Sequence, residues 1–186
     1  MLKLFYLRMT DERKIRHENA CEVARKMMTA ARTAPKSKGM DLIEIAMLEG
    51  DEIMRLSKEM TALYEINGMH FFLRDAENIL QAEAVILIGT REHALGLNCG
   101  YCGSPVCCNR PEQAPCALNS IDVGIAVGSA CATAADNRVD TRVMFSAGYA
   151  AQHLGWPTPA CSQVIAIPIS ISSKNPFFDR TPKSEH

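Results

Sequence analysis

The sequence lacks a surplus of charge of either sign. Its 186 residues contain 20 Lys and Arg against 21 Asp and Glu, which gives a formal net charge of −1. A protein that binds nucleic acid through the phosphates needs a clear excess of basic side chains. The balanced charge therefore argues against a nucleic-acid-binding function.

The sequence also lacks a hydrophobic run suited to a membrane. Its start, MLKLFYLRMTDERK, contains only four consecutive apolar residues, fewer than a secretory signal needs. The long uncharged stretch 143–173 is interrupted by Pro157, Pro159 and polar residues, which argues against a membrane-spanning helix there. We therefore predict a cytoplasmic protein with no membrane partner, whose cysteines are reduced or bind metal.

Several catalytic signatures are missing as well. The sequence has no Ser-His-Asp arrangement, no phosphate-binding G-x-x-x-x-G-K-[ST] motif and no H-E-x-x-H zinc motif. Hydrophobic residues make up 47% of the chain and charged residues 22%, which is enough to form a core. Because no repeat or low-complexity linker divides it, we predict a single domain over residues 1–186.

Hydrophobic periodicity predicts a mixed α+β domain. We expect residues 1–16 to form an arm. Pro168 predicts an edge position or a strand end, and the small-residue helix is expected to be central and packed on all sides. The predicted helices span 18–34, 51–67, 71–81, 117–135 and 147–154, and the predicted strands span 41–48, 82–89 and 163–171.

Cysteine, by contrast, is abundant and clustered. Five of the eight cysteines lie between Cys99 and Cys116. Cys99 and Cys102 enclose two residues, and glycines at 100 and 103 permit the tight turn that directs both thiolates to one centre. We predict that residues 97–118 form an inserted metal-binding segment.

Four thiolates can complete this site. Cys107 follows Cys102 after four residues, and Cys116 follows Cys107 after eight. Such a set suits an iron–sulfur cluster or zinc. The single C-x2-C pair favours iron–sulfur over zinc, which usually uses two such pairs. Cys99, Cys102, Cys107 and Cys116 are the predicted ligands, with Cys108 as the alternative to Cys107. The other cysteines, Cys21, Cys131 and Cys161, are predicted to be ordinary core residues.

Longer motifs carry a family resemblance. The segments CGYCG (99–103), IDVGIAVGSA (121–130), DTRVMFSAGYAA (140–151) and KNPFFDR (174–180) look like those of the uncharacterised ferredoxin domain-containing family of bacteria and archaea. The resemblance extends over residues 18–180. It implies a fold and a metal more than a reaction.

A second resemblance is to the flavin-dependent nitroreductase fold. It rests on the segment from Ala34 to Gly39, on Asp122-Val-Gly124 opening the small-residue helix, and on Leu154-Gly155. The resemblance implies a nitroreductase-like sheet flanked by helices, α/β-like in character, with the cysteine-rich loop inserted before the central helix. It also implies an interlocked homodimer with FMN at the subunit interface.

The predicted flavin contacts follow from that resemblance. Cations and hydroxyls beyond a helix end can hold a phosphate dianion, and these residues are Arg32, Lys36, Ser37 and Lys38. Lys174 and Arg180 are predicted as a second phosphate clamp. Gly39 departs from the fold's pattern, because a flavin-contacting asparagine usually stands there.

Two functions remain open from the sequence. The first is a redox enzyme in which the iron–sulfur cluster exchanges electrons with a flavin and with a redox partner protein. The second is a zinc-binding structural or partner-recognition module without catalytic activity. The sequence identifies neither a substrate nor catalytic residues.

Overall fold

The computed structural model describes residues 9–178. Arg180, one of the predicted clamp residues, lies outside the described residues, as do positions 1–8. In chain order, the elements are α1 (Glu12–Thr33), β1 (Ile43–Leu48), α2 (Asp51–Asn67), α3 (Phe71–Ile79), β2 (Ala84–Arg91), α4 (Ala117–Asp136), β3 (Asp140–Thr141), α5 (Phe145–His153) and β4 (Cys161–Ser170).

The four strands form one antiparallel sheet in the order β1-β2-β4-β3. β2 is buried from Ala84 through Thr90, which explains its continuous apolar sequence: both of its faces are covered. This mixed architecture confirms the predicted α+β class.

Helices cover both faces of the sheet. On β2, Ile86 and Ile88 point to one face and pack with α1 and α4. The alternate residues Val85 and Leu87 point to the other face and pack with α2, α3 and α5. The resulting three layers bury two hydrophobic clusters, each of which uses one side of the same central strands.

The first helix begins earlier than its hydrophobic pattern indicates. The side chain of Asp11 caps α1 by accepting a hydrogen bond from the Arg13 backbone N–H at 3.2 Å. A carboxylate at this position also interacts favourably with the helix dipole. The predicted arm is therefore wrong for residues 12–16, which are helical; the polar first turns lack the apolar residues that the pattern follows.

Pro168 lies inside β4, between two neighbouring strands, so its predicted edge position is wrong. The Ala166 N–H donates to the Met144 carbonyl on the β3 side of the sheet. Amides two residues apart point the same way, so the Pro168 nitrogen faces that side too. On that side, the pairing of β3 with β4 ends at Thr141. The N–H that proline lacks would therefore point to a position where β3 offers no hydrogen-bond partner.

Only one face of α4 is packed within the chain, contrary to the prediction. The buried face contacts α1, where the Ser129 hydroxyl donates to the Ala30 carbonyl at 2.9 Å. The opposite face is exposed and apolar, with Ile121, Gly124, Ile125 and Gly128. By length and composition α4 is the one helix within residues 9–178 apolar enough to cross a membrane, although its packed face forms part of the core.

Candidate metal centre

The cysteine segment connects the end of β2 to the start of α4. Between Arg91 and Ala117 the chain is irregular, apart from a short 3-10 turn at Cys107–Asn109. The predicted insertion, 97–118, falls on this connection, and its last two residues already belong to α4. The five cysteines of the segment are free thiols, so none is committed to a disulfide.

Two side chains of the core fix the ends of this loop. The Oε1 of Glu92 accepts the backbone N–H of Cys116 at 3.0 Å. The Oδ1 of the buried Asn119 accepts the backbone N–H of His93 at 3.0 Å. The first residues after β2 are thus tied to the first turn of α4, and the loop projects from a closed base.

The Cys99–Cys102 pair forms a tight turn, as its glycines predict. Gly100 and Gly103 have φ values of 74° and 88°, in the left-handed region that favours glycine. The Gly103 N–H donates to the Gly100 carbonyl at 2.9 Å and closes the turn. Cys99 is exposed and Cys102 is half-buried, so the pair lies at the outer side of the loop.

Cys107 is held to the residue that precedes this turn. The backbone N–H of Asn98 donates to the Cys107 Sγ at 3.3 Å, and the Cys107 N–H donates to the Asn98 Oδ1 at 2.9 Å. These two bonds fix the position of the Cys107 sulfur beside the turn. Cys108 is more exposed, and its thiol donates only to the neighbouring Asn109 side chain at 3.5 Å. The geometry therefore favours Cys107 over Cys108 as a ligand.

Arg110 brings a positive charge to the loop sulfurs. Its Nη1 lies 2.9 Å from Glu92 Oε1, and its side chain is only 12% exposed. The Glu92 carboxylate raises the pKa of Arg110, burial opposes this shift, and the nearby Cys116 and Cys102 contribute to raising it. These two cysteines are far apart in sequence, yet their sulfurs act on the same guanidinium.

Arg110 also has unused donors. Its Nε is buried without a hydrogen-bond partner, and its Nη1, although within ion-pair distance of Glu92, lacks hydrogen-bond geometry. Buried N–H groups normally find acceptors. Donors beside two thiolates fit a centre that carries further negative charge on sulfur, as an iron–sulfur cluster does.

Cys116 lies at the N-terminus of a helix. It is the N-cap residue of α4 and is buried, at 7% exposure. The partial positive charge at a helix N-terminus favours an anionic group bound there. Soft thiolates, an arginine and a helix terminus together fit an anionic metal–sulfur centre.

The spacing of the loop sulfurs bears on the two metals that the sequence leaves open. Four sulfurs bound tetrahedrally to zinc lie about 3.8 Å from one another, given zinc–sulfur bonds of about 2.3 Å. Across residues 9–178, three or more candidate ligand atoms converge within 4.8 Å only outside this loop. The loop sulfurs are therefore not gathered at the spacing of a bound zinc ion.

Two of the predicted flavin contacts, Lys36 and Ser37, form hydrogen bonds within the chain. The Ser37 hydroxyl donates to Asp122 Oδ1 at 2.9 Å, and its backbone N–H also donates to this carboxylate. The Lys36 ammonium donates to the carbonyls of Ala31, Arg32 and Ala34 at the end of α1. Burial lowers the pKa of Lys36. Both groups therefore join elements or cap a helix.

Arg32 and Lys38 are also engaged. Arg32 donates to both oxygens of Asp41 at 2.8 and 2.7 Å and to the Ile43 carbonyl at 2.6 Å. Lys38 donates to the carbonyl of Leu95, at the base of the cysteine loop, at 3.0 Å. The four predicted contacts thus lie in the last turn of α1 and the segment that follows it, and Lys38 connects this segment to the cysteine loop.

Lys174 stands apart from these four residues. It is exposed, after β4, and its carbonyl accepts a hydrogen bond from Ser172. With Arg180 outside the described residues, the second phosphate clamp stays a prediction.

A groove opens beside the exposed face of α4. It has a volume of about 550 Å³ and is mostly apolar. Its walls come from α4, α5 and β4, and the residues that line them include Val123, Gly124, Phe145, Tyr149 and Val164. A groove of this size and character suits a flat organic ring.

Sequence reasoning missed the polar residues that organise the loop. Glu92, Asn98 and Arg110 are not predicted as site residues. One signal exists, because Arg110 is the only basic residue in the segment 97–118. Glu92 and Asn98 have no such signal, since their roles depend on contacts across the closed loop.

Comparisons with known proteins agree with this architecture. Residues 112–180 match the family described as "Uncharacterized protein containing a ferredoxin domain (DUF2148)". An uncharacterized protein of Archaeoglobus fulgidus is 37% identical over 183 residues, covering 93% of this chain and 98% of that protein.

Similar solved structures share the fold. A BluB-like flavoprotein from Clostridium difficile 630 has a TM-score of 0.55 at 15% identity, over 89% of this chain and 85% of that one. A nitroreductase with bound FMN from Desulfitobacterium hafniense DCB-2 has a TM-score of 0.56 at 15% identity, over 89% and 86%. The nitroreductase-like fold is thereby confirmed.

Proposed function

The chain belongs to the family of uncharacterized proteins that contain a ferredoxin domain, and we propose that it is a redox protein whose cysteine loop holds an iron–sulfur cluster. The ligands are Cys99, Cys102, Cys107 and Cys116. A cluster of this kind accepts and donates single electrons, with a potential set by its hydrogen bonds, charge and exposure.

The observation that carries this proposal is the environment of Arg110. Cys102 and Cys116 both act on its guanidinium, and buried N–H groups of this arginine lack an acceptor. Cluster sulfur atoms are acceptors, and a cation beside them favours the more negative, reduced state. Glu92 holds the arginine in position and at the same time fixes the amide of Cys116.

The alternative is a zinc-binding structural module. Zinc would need four sulfurs close together, whereas no three candidate ligands of the loop converge within 4.8 Å. The loop base is also closed by Glu92 and Asn119, so the chain has no evident need of a metal to fold. Both observations favour the redox function.

FMN is a weaker proposal, supported by the fold and by the apolar groove beside α4. The predicted phosphate contacts Arg32, Lys36 and Ser37 do not fit a clamp within one chain, because their donors are already used by Asp41, by the end of α1 and by Asp122. Binding a phosphate there would break those hydrogen bonds.

A homodimer is part of the proposal. The exposed face of α4 is apolar, and Gly124 and Gly128 leave open space that another backbone can approach. The same face borders the groove, so a second subunit would deepen it. A separate redox partner protein would exchange electrons at the exposed Cys99 side of the loop. A cytoplasmic location is proposed because such a centre needs reduced thiols.

Anaerobic purification followed by analysis of iron, acid-labile sulfide and zinc tests the function. We expect iron and sulfide in equal amounts, with broad visible absorbance that dithionite bleaches. Replacing Cys102 by Ser should abolish both, whereas replacing Cys131, a half-buried thiol on α4, should leave them unchanged. A colourless protein that carries one zinc ion would overturn the proposal.

Denaturation of the same preparation tests the flavin. A bound FMN would be released as a yellow fluorescent compound, in proportion to the chain. If no flavin is released, the FMN proposal is wrong and the cluster alone is the proposed redox centre.

A further inference from the structure

A second group of metal-binding side chains lies at the other end of β2. β1 and β2 are antiparallel, and Leu48 pairs with Val85. Glu49 follows β1 and Glu83 precedes β2, so the register brings both glutamates to the same end of the sheet. His17 is on α1, which packs across this end.

Cys21 completes the group. It follows His17 by four positions on α1, and residues with this spacing share one face of a helix. The Sγ of Cys21 lies 3.6 Å from His17 Nε2, and this nitrogen lies 3.2 Å from Glu49 Oε2. The ligand atoms of the three residues all lie within 4.8 Å of one another.

Glu83 orients the imidazole. Its Oε2 lies 3.2 Å from the Nδ1 of His17. A proton on Nδ1 that is donated to this carboxylate leaves the Nε2 lone pair directed at Glu49 and Cys21. Metal-binding histidines commonly use a carboxylate on the second nitrogen in this manner.

The charges of this group favour the binding of a cation. Two carboxylates and a thiol face one imidazole. The nearby arginines are Arg16, which pairs with Glu12, and Arg25. One nitrogen, one sulfur and one oxygen donor are the ligand types of zinc, which often takes three protein ligands and a water. Cys21 is buried at 3% exposure, whereas the His17 side chain is 54% exposed, so an ion can enter from solvent.

We propose that His17, Cys21 and Glu49 form a binding site for a divalent transition-metal ion such as Zn²⁺, with Glu83 as the positioning residue. The site is separate from the cysteine loop, because the whole of β2 lies between Glu83 and Glu92. At about 3.3 Å per residue, Glu83 and Glu92 lie about 30 Å apart along the strand. Cys21 is buried in the core, as its sequence context predicts, and the proposal adds a ligand role for its sulfur.

The test adds Zn²⁺ to the purified full-length protein, removes the excess by gel filtration and counts zinc and iron per chain. We expect one bound zinc in the wild type and none in the Cys21→Ser and Glu49→Gln variants. Cys161→Ser is the matched control, a buried thiol outside the group, and should bind zinc as the wild type does. Equal zinc content in the wild type and the Cys21→Ser variant would overturn the proposal.

A second measurement identifies the ligands. Co²⁺ bound to a thiolate gives a charge-transfer band, which should appear when Co²⁺ is added to the wild type. In the His17→Gln variant, the same band should appear only at higher Co²⁺ concentrations. Glu83→Gln should weaken binding about 10–100-fold, the usual effect of removing such an orienting carboxylate. Unchanged affinity in both variants would mean that His17 only bridges two glutamates as an imidazolium.

The cobalt measurement is repeated in a Cys102→Ser/Cys116→Ser variant, which disables the loop. Retention of the band is expected, because the site does not depend on the proposed cluster. Its loss in this variant alone would assign the bound cobalt to the loop and overturn the second site. The failure of either centre is thereby distinguishable from the failure of the other.

Discussion

Asn98 and Cys107 exchange two hydrogen bonds across the cysteine loop. The Asn98 amide donates to the Cys107 sulfur at 3.3 Å, and the Cys107 amide donates to the Asn98 side chain at 2.9 Å. Asn98 has a φ of 48°, a left-handed conformation that asparagine tolerates better than most residues. The pair therefore fixes the sulfur of one proposed ligand through contacts within the chain itself.

The first prediction separates the two adjacent cysteines. Cys107→Ser should lose most of the iron, because it removes the sulfur that Asn98 supports. Cys108→Ser should retain iron at the wild-type level, since its thiol is exposed and contacts only Asn109. Iron per chain after anaerobic purification is the measurement. Loss of iron in Cys108→Ser with retention in Cys107→Ser would show that Cys108, and not Cys107, is the ligand.

The second prediction concerns the potential of the cluster. Arg110→Gln removes a buried positive charge near Cys102 and Cys116, so the reduced state loses stabilisation and the midpoint potential should fall by tens of millivolts. Arg110→Lys, which keeps the positive charge, is the matched control. Potentiometric titration should give Arg110→Gln a lower potential than the wild type and Arg110→Lys a potential close to it. An unchanged potential in Arg110→Gln would show that the guanidinium does not act on the cluster.

The third prediction tests the close approach of α5 to β4. A Cβ at Gly148 would lie 2.2 Å from the Val164 carbonyl oxygen and 2.7 Å from the Ile165 Cα, both backbone atoms that cannot rotate away. Gly148→Ala should therefore lower the free energy of unfolding by about 1–3 kcal/mol. Lys58→Ala, at an exposed position on α2, is the control and should change the free energy of unfolding by less than about 0.5 kcal/mol. Urea denaturation measures both; equal stability of the two variants would contradict the packing.

The fourth prediction addresses the exposed face of α4. Ile125→Glu places a charge in the middle of this face and should convert a dimer to a monomer in sedimentation experiments. Met54→Glu, at an exposed apolar position on α2, should leave the assembly unchanged. If the wild type is itself monomeric, the proposed dimer is wrong.

The fifth prediction is a pH dependence at Asp41. Burial opposes ionisation of this carboxyl, but the hydrogen bond and charge of Arg32 outweigh it, so the pKa of Asp41 is lowered from 3.8. A lowered folded-state pKa stabilises the fold above pH 3.8 and loses this effect as the pH falls through the folded-state value.

Asp41→Asn should therefore destabilise the protein at neutral pH and approach the wild type in acid. Both partners are more than two-fifths exposed, which limits the loss to about 0.2–1 kcal/mol. Denaturation of both proteins at neutral and acidic pH measures the difference. A stability difference between the two proteins that grows as the pH falls would contradict the predicted direction of the pH dependence.

Hydrophobic spacing predicted most of the elements because burial imposes it directly. β2 reads as an apolar run since both of its faces are covered, and α2 begins and ends where its pattern indicates. The pattern fails at α1, whose first turns are polar, and at Pro168, whose tolerance depends on where a neighbouring strand ends. Neither condition is local in sequence.

The sequence predicts the candidate site to about the same extent as the fold. Cysteine spacing predicts a loop with ligands, because short spacing forces a turn. It cannot show that Arg110 faces Cys102 and Cys116, nor that Cys21 meets Glu49, since those contacts are made across the fold. His17 and Cys21 do carry a readable signal, the four-residue spacing on one helix.

The closed base of the cysteine loop bears on when the proposed cluster would be inserted. Glu92 and Asn119 join the loop ends through hydrogen bonds within the protein, so folding of the core already supplies the entropic cost of closing the loop. Zinc fingers, in contrast, remain unfolded until metal binds. For the proposed cluster, this implies an ordered maturation in which folding comes first and cluster insertion second. Under iron starvation, the apo-protein would then be a folded acceptor, protected from the proteolysis that removes unfolded chains.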